Sequence, residues 1–304
     1  MNGLEHRLRR IVVCAGALFL LACGDPALIN LKAKLNAPDR NSLDWVRLNS
    51  CFDQMHRAVY TWRSYRNLLA ELTKDRYVVV PLREFAAAAT THPDKVVVGM
   101  RHDMDGNFCK AITMAETEYA QGIRATYFVR HTEKYYSYDW PHPQRIRAIL
   151  PDLLRVQRMG HEVGLHLDSV TMAWLYGFNP AELLSDELAY LRGAGLDIRG
   201  TSAHGSDEAR DYHFSNFEVF EGMTTRTTLV HGPRRIPLGE HAMNEFDLDY
   251  EAYHMKNKYY FSDAGGRWNE SPLHVLPDLK PGENAIILSH PEWWGADDEQ
   301  REYY

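Results

Sequence analysis

The feature that most limits how this chain can fold is an alternation, from Lys95 onward, between short β-rich runs and stretches of helical periodicity. Strands are expected near residues 96–101, 123–129, 161–166, 197–202, 225–230, 258–262 and 285–289. Strands separated by helices imply a largely parallel sheet, and seven of them suggest a barrel. Cap chemistry marks two of the helices. One near 109–121 stops at Gly122; another begins with Asn179 as N-cap, Pro180 at the first helical position and Glu182 closing a capping box. Ahead of the barrel, Met55, Val59, Trp62, Tyr65, Leu68, Leu69 and Leu72 follow helical spacing between Phe52 and Leu72. Residues 48–94 are therefore expected to form an N-terminal helical extension to a domain spanning 95–304.

The first residues read as a targeting segment. A basic stretch, Arg7 to Arg10, precedes an apolar run from Ile11 to Leu21 that is too short to span a bilayer, as in a signal peptide over residues 1–22. Leu20-Leu21-Ala22-Cys23 resembles the lipobox of a bacterial lipoprotein, which implies acylation of Cys23 and a lipid anchor facing the periplasm of the cell envelope. The polar, aperiodic residues 23–47 then serve as a tether. The formal charge of −7 becomes more negative once Arg7, Arg9 and Arg10 are set aside, so electrostatics do not favour nucleic acid or an anionic membrane surface as partner. Cys51 and Cys109 are the two cysteines of the folded body. An exported protein can bridge them, but their separation is not readable, and two buried free thiols are the expectation.

Fifteen histidines in 304 residues favour metal or acid–base chemistry without locating it. In a parallel barrel, residues just past the C-terminal strand ends gather on one face. The first strand end carries His102-Asp103-Met104-Asp105, the third His166-Leu167-Asp168, the fourth Ser202-Ala203-His204-Gly205, the sixth Ser262-Asp263 and the seventh Ser289-His290-Pro291. One such residue alone is usually a cap or a structural hydrogen-bonding group. Five strand ends bearing carboxylates or imidazoles suit a hydrolytic Zn²⁺, which lowers the pKa of water to about 7.

Over roughly residues 95–292 the sequence resembles the polysaccharide deacetylase family, carbohydrate esterase family 4. Gly160-His161-Glu162-Val163-Gly164-Leu165-His166 is similar to the lead-in to that family's histidine motif. Gly122 to Phe128 is similar to its second strand, and Leu288-Ser289-His290 to its late motif. There are departures: Met104 separates Asp103 from Asp105, Val170 stands where a second motif histidine is usual, and His204 lies where an Arg-Pro motif is usual, which removes the Arg that normally holds the base. Together they read as a divergent branch with its own "HDVD" and "HG" motifs.

The resemblance implies a distorted (β/α)7 barrel and removal of N-acetyl groups from a cell-envelope or secreted polysaccharide, with one divalent ion, Zn²⁺ or alternatively Co²⁺ or Ni²⁺. It further implies Asp105, His166 and His204 as metal ligands, Asp103 as base, His290 as acid and Asp263 as the partner that orients His290. Asp103 and Asp105, two apart in an extended segment, share a face, so their roles are interchangeable; Asp168 is an alternative ligand. His102 points the other way and is expected to pack, and His161, at the far end of its strand, to be structural. Tyr127, Tyr135, Tyr136, Tyr138, Trp140, Trp293 and Trp294 either frame a glycan groove or pack loops against the rim. Two other functions remain open: hydrolysis of another C–N amide bond, as by a deformylase or cyclic amidase, and an inactive glycan-binding lipoprotein.

Overall fold

In this computed structural model, which describes residues 40–46, 50–51 and 58–296, one long strand organises the sheet. Val96–Met104 (β2) is buried along all nine residues, as a strand covered on both faces must be. On one edge it pairs with Asn284–Ser289 (β10). Its other edge is shared end to end: Tyr77–Val80 (β1) pairs with Val96 to Gly99, and Thr126–Arg130 (β3) with Arg101 to Met104. Glu162–Leu167 (β4), Gly200–Ala203 (β5) and Tyr250–Glu251 (β8) extend the sheet beyond β3, and Tyr259–Ser262 (β9) beyond β10. Every pairing is parallel, and seven strands lie on one continuous path, so the fold is the expected α/β architecture of a distorted, curled seven-stranded barrel.

Alternation along β2 divides two cores. Val96, Val98, Met100 and Met104 face outward, against the helix Phe108–Ala120 (α3) and its neighbours, and Val97 faces the interior with Phe128 and Ile286. Leu82, Phe85 and Ala88 of the helix Leu82–Thr91 (α2) fill that interior near the strands' starting ends. Gly164 on β4 makes room for it: a Cβ there would lie 2.5 Å from the Phe128 ring. An alanine at 164 would displace Phe128 and open the inner core.

Several expectations are corrected. The run 225–230 supplies no strand of the main sheet. Thr228–His231 (β6) instead turns back at Gly232-Pro233 onto Arg234–Pro237 (β7), antiparallel. Within β6 only Leu229 is buried, too little apolar surface for a strand covered on both sides, and β8 takes the place beside β5. Residues 48–94 are not a purely helical extension: within them the β-branched run Tyr77-Val78-Val79-Val80 forms β1, which joins the main sheet. The helix expected over 52–72 spans Trp62–Leu72 (α1), where Thr61 accepts from Ser64 N as N-cap; residues 52–57 lie outside those described. Its Tyr65, Leu68, Leu69 and Leu72 are buried, worth at most about 1.5–3 kcal/mol each. Cys51 and Cys109 are not free thiols. They form a disulfide, Cα atoms 5.5 Å apart, that ties the N-terminal segment to the first turn of α3.

The helix expected after Asn179, Pro180–Gly193, has its cap: the Asn179 side chain accepts from Ala181 N and Glu182 N. The signal segment, the Cys23 motif and the tether up to residue 39 lie outside the described residues. Among the described residues no helix is long and apolar enough to cross a membrane.

Candidate active site

The strand ends converge on Asp105. Its Oδ1 lies 2.9 Å from His166 Nε2, and its Oδ2 lies 3.8 Å from His204 Nε2 and 3.7 Å from His290 Nε2. Four separate stretches of sequence thus meet at one carboxylate. Asp105 is also the most open of the group, its side chain 21% exposed against 2% for His166, so the cluster reaches solvent through it.

Each imidazole is fixed from behind. His166 Nδ1 lies 2.7 Å from the carbonyl oxygen of Ser202, His204 Nδ1 2.8 Å from Asp168 Oδ1, and His290 Nδ1 2.7 Å from Asp263 Oδ1. A carbonyl or a carboxylate only accepts, so in all three rings Nδ1 carries hydrogen. In the neutral tautomer that leaves every Nε2 with a bare lone pair aimed at a carboxylate. Acceptors facing acceptors require something positive between them, either protons or a cation. Two of the three rings, those of His166 and His290, are disposed to hold a proton. Burial pushes His166 down, but Asp103 and Asp105 more than offset it and raise the imidazole above its ordinary value. His290, likewise opposed by burial, is raised to about 10, chiefly by its hydrogen bond and charge pairing with Asp263. Burial would raise Asp105, yet His166, His204 and His290 hold it well below the usual carboxylate range.

Asp103 sits two residues back on the same face of β2. Its Oδ2 accepts from Arg101 Nη2 at 2.7 Å and from Ser202 Oγ at 3.3 Å, and His166 Nε2 lies 3.5 Å away. Desolvation opposes ionisation here, but Arg101, His166 and His290 outweigh it and lower the pKa. Arg101, two residues back on the same face of β2, thus fixes the Asp103 carboxylate. The sequence does carry a signal for it: in the interior-facing row Val97, Gly99, Arg101, Asp103, a cation beside an anion is the only charge pair.

Asp263 accepts at both oxygens. His290 N and Nδ1 reach Oδ1 at 3.0 and 2.7 Å, and Trp294 Nε1 reaches Oδ2 at 3.0 Å. Asp168 is spent in the same way: Arg130 Nε donates to it at 3.0 Å, Thr132 Oγ1 donates as well, and His204 takes its other oxygen. It acts through His204 rather than facing the central space. Nothing in the sequence pointed to Arg130, Thr132 or Asn216, whose Nδ2 donates to His204 O at 2.8 Å.

Two expected bystanders are bystanders. His102, fully buried on the outer face, donates from Nε2 to Glu118 Oε1 at 2.7 Å and meets Ser289 Oγ at 2.7 Å through Nδ1. His161 accepts from Ala125 N and donates to Ala115 O. Of the aromatic residues considered for a groove, Tyr127, Tyr135, Tyr136 and Trp294 are buried and pack the body; Tyr138 and Trp140 are partly open.

Among the described residues, no three His, Cys, Asp or Glu side chains are already closed to metal-binding spacing. The donor set and the bare nitrogens nonetheless fit a divalent ion: imidazole Nε2 atoms backed by Nδ1–H hydrogen bonds, with a carboxylate.

No protein-family model matches the sequence, and no curated protein matches it. One solved structure is similar to it, described as a mutant of BA3943, a CE4 family pseudoenzyme with restored enzymatic activity. The likeness has 14% identity and a TM-score of 0.33 and covers 66% of this chain and 58% of that one, so the chain spans less than two thirds of that protein. At that level it carries no argument about the chemistry here.

Proposed function

We propose that this chain is a metal-dependent hydrolase that removes N-acetyl groups from a polysaccharide, as its resemblance to the polysaccharide deacetylases implies. The observation that supports this best is the set of imidazole Nε2 atoms directed at Asp105, each ring locked by an acceptor behind it. Asp105, His166 and His204 would hold the ion, Zn²⁺ first and Co²⁺ or Ni²⁺ as alternatives. When bound, such an ion lowers the pKa of water to about 7 and polarises a carbonyl.

The other residues then divide the proton work. Asp103, anionic and fixed by Arg101, accepts the proton of the attacking water. His290, protonated and oriented by Asp263, gives its Nε2 proton to the departing amine. Removing the acid without removing ligands should leave metal binding intact, which separates the two roles.

The test is metal content and acetate release from an N-acetylglucosamine oligomer. Purified protein should retain about one Zn²⁺ and release acetate; the His166→Ala, His204→Ala double variant should do neither. Full metal retention in that variant would sink the ligand assignment, and a metal-loaded wild type releasing no acetate from any acetylated polymer would sink the deacetylase. The cell-envelope address belongs to the same proposal. A Cys23→Ser variant should move from the membrane fraction to the soluble one.

A further inference from the structure

Asp105, on which the imidazoles converge, is the first residue past β2, and α3 begins at Phe108. The sheet fixes one end of this short connection, since β2 is paired with β10 as far as His102 and with β3 as far as Met104. The N-terminal segment holds the other end. Asn107 Nδ2 donates to Cys51 O at 3.2 Å, Phe108 N donates to Ser50 Oγ at 3.1 Å, and Cys109 is bridged to Cys51. Consecutive residues 107, 108 and 109 are thus gripped by Ser50 and Cys51. We propose that this grip is a positioning device for Asp105, and that opening the disulfide weakens the centre's hold on a divalent cation; this rests on reading Asp105 as a metal ligand.

Local chemistry shows why α3 does not hold the connection by itself. Asn107 sits at φ +21°, a backbone conformation that residues with a side chain rarely adopt and that persists only where the surroundings enforce it. Its Oδ1 caps the helix by accepting from Lys110 N at 3.1 Å, and the other half of the same amide donates to Cys51 O. One side chain therefore both starts α3 and joins it to the segment. Phe108 N belongs to the first turn, whose amides lack intrahelical acceptors, and the fully buried Ser50 supplies one. The disulfide keeps these donors and acceptors opposite one another.

The tolerance is narrow. The imidazoles lie 2.9, 3.8 and 3.7 Å from Asp105, and a ligand group has to stay within about 0.5 Å of its place to act. The continuation of the segment grips the other side of the site by different means: Val59 N donates to Trp293 O at 2.7 Å, and Tyr60-Thr61 pairs with Trp294–Ala296. Opening the bridge therefore acts on Asp105 and leaves His290 held. A dithiol opens it. One thiolate attacks a bridge sulfur, the S–S bond breaks as a mixed disulfide forms, and the second thiol closes the reagent's own disulfide, its two electrons and two protons leaving Cys51 and Cys109 as thiols. Cys109 is partly exposed, which puts the bridge within reach.

The probe is Zn²⁺ alone, titrated calorimetrically into the full chain. In a Cys51→Ser, Cys109→Ser double variant, which adds no thiol ligand, affinity should fall about tenfold. Ser50→Ala and Asn107→Ala leave the bridge intact and should each weaken binding about threefold. Wild type reduced with dithiothreitol, capped with iodoacetamide and freed of reagent should match the double variant. A purely structural bridge would lower the unfolding midpoint and leave the Zn²⁺ affinity of the folded variants as in wild type; that result overturns the proposal. Amide hydrogen exchange on chelated protein needs no metal: it should quicken at residues 106–110 in the double variant and not along β2. Unchanged exchange overturns the device whatever the metal does. A wild type that binds no Zn²⁺, with exchange quickened there in the variant, leaves the grip standing and removes the metal centre.

Discussion

Two histidine–carboxylate clusters lie on opposite faces of the same strand, and they differ in what the imidazole nitrogens have left over. On the outer face, His102 uses both nitrogens, one on Glu118 and one on Ser289; Glu118 also accepts from Tyr65 and, at 2.6 Å, from Tyr127. The whole group is sealed from solvent. On the inner face, three histidines each spend Nδ1 on an acceptor behind the ring and turn Nε2 towards the partly open Asp105. The residue types are the same in both. A satisfied network stabilises; an incompletely satisfied one, open to solvent at Asp105, is equipped to bind.

The largest expected effect breaks this contrast at its centre. Asp105→Asn removes the charge on which the three Nε2 atoms converge, and should cost at least about a thousandfold in kcat/KM together with most of the bound metal. A variant that keeps full activity would mean the convergence has no catalytic meaning. Next comes the sealed cluster. Glu118→Ala strands His102 and two tyrosines without an acceptor and should destabilise by about 3–5 kcal/mol in urea unfolding, with metal stoichiometry unchanged. If that variant instead lost metal and kept its stability, the two clusters would be one.

Asp263→Asn sharpens the comparison within the inner cluster. It leaves His290 in place but weakens its hold on ring tautomer and charge, so activity should drop about 10–100-fold while Zn²⁺ stays bound. Loss of the metal instead would make His290 a ligand, a role its 3.7 Å approach to Asp105 makes worth testing. The smallest effect concerns a carboxyl in neither cluster. Burial raises Glu251 to about 7, although Ala203 N and Tyr253 N both donate to it. Since its ordinary unfolded value is about 4.3, its contribution is fully present below that pH and is lost as pH rises through about 7. Glu251→Gln should flatten the fall in stability across that window, where one proton gives a slope of at most about 1.4 kcal/mol per pH unit.

Much of this was legible in sequence because strand ends are local. Asp103, Asp105, His166, His204, Asp263 and His290 each follow a run whose periodicity marks it as a strand, and parallel topology alone requires such ends to share a face. What lay hidden depended on contacts that no run predicts. Arg130 and Asn216 reach the site from a strand end without motif character and from the first residue of a short 3-10 helix. The Cys51–Cys109 bridge needed a Cα separation, which spacing along the chain does not supply. The 225–230 run failed for another reason: β-branched residues favour a strand but do not say which sheet it joins, and the turn at Gly232-Pro233 decided that.

The shared edge of β2 also sets a timetable. Its remaining edge is completed by β10, whose residues lie about as far along the chain as His290 itself. Until Asn284–Ser289 has been made and docked, the most thoroughly buried strand of the protein presents a bare, apolar edge to whatever is near. The segment that covers this edge is thus among the last to be synthesised, and it also delivers the last imidazole. A chain that lacks this segment therefore has neither the second edge of β2 covered nor His290 in place.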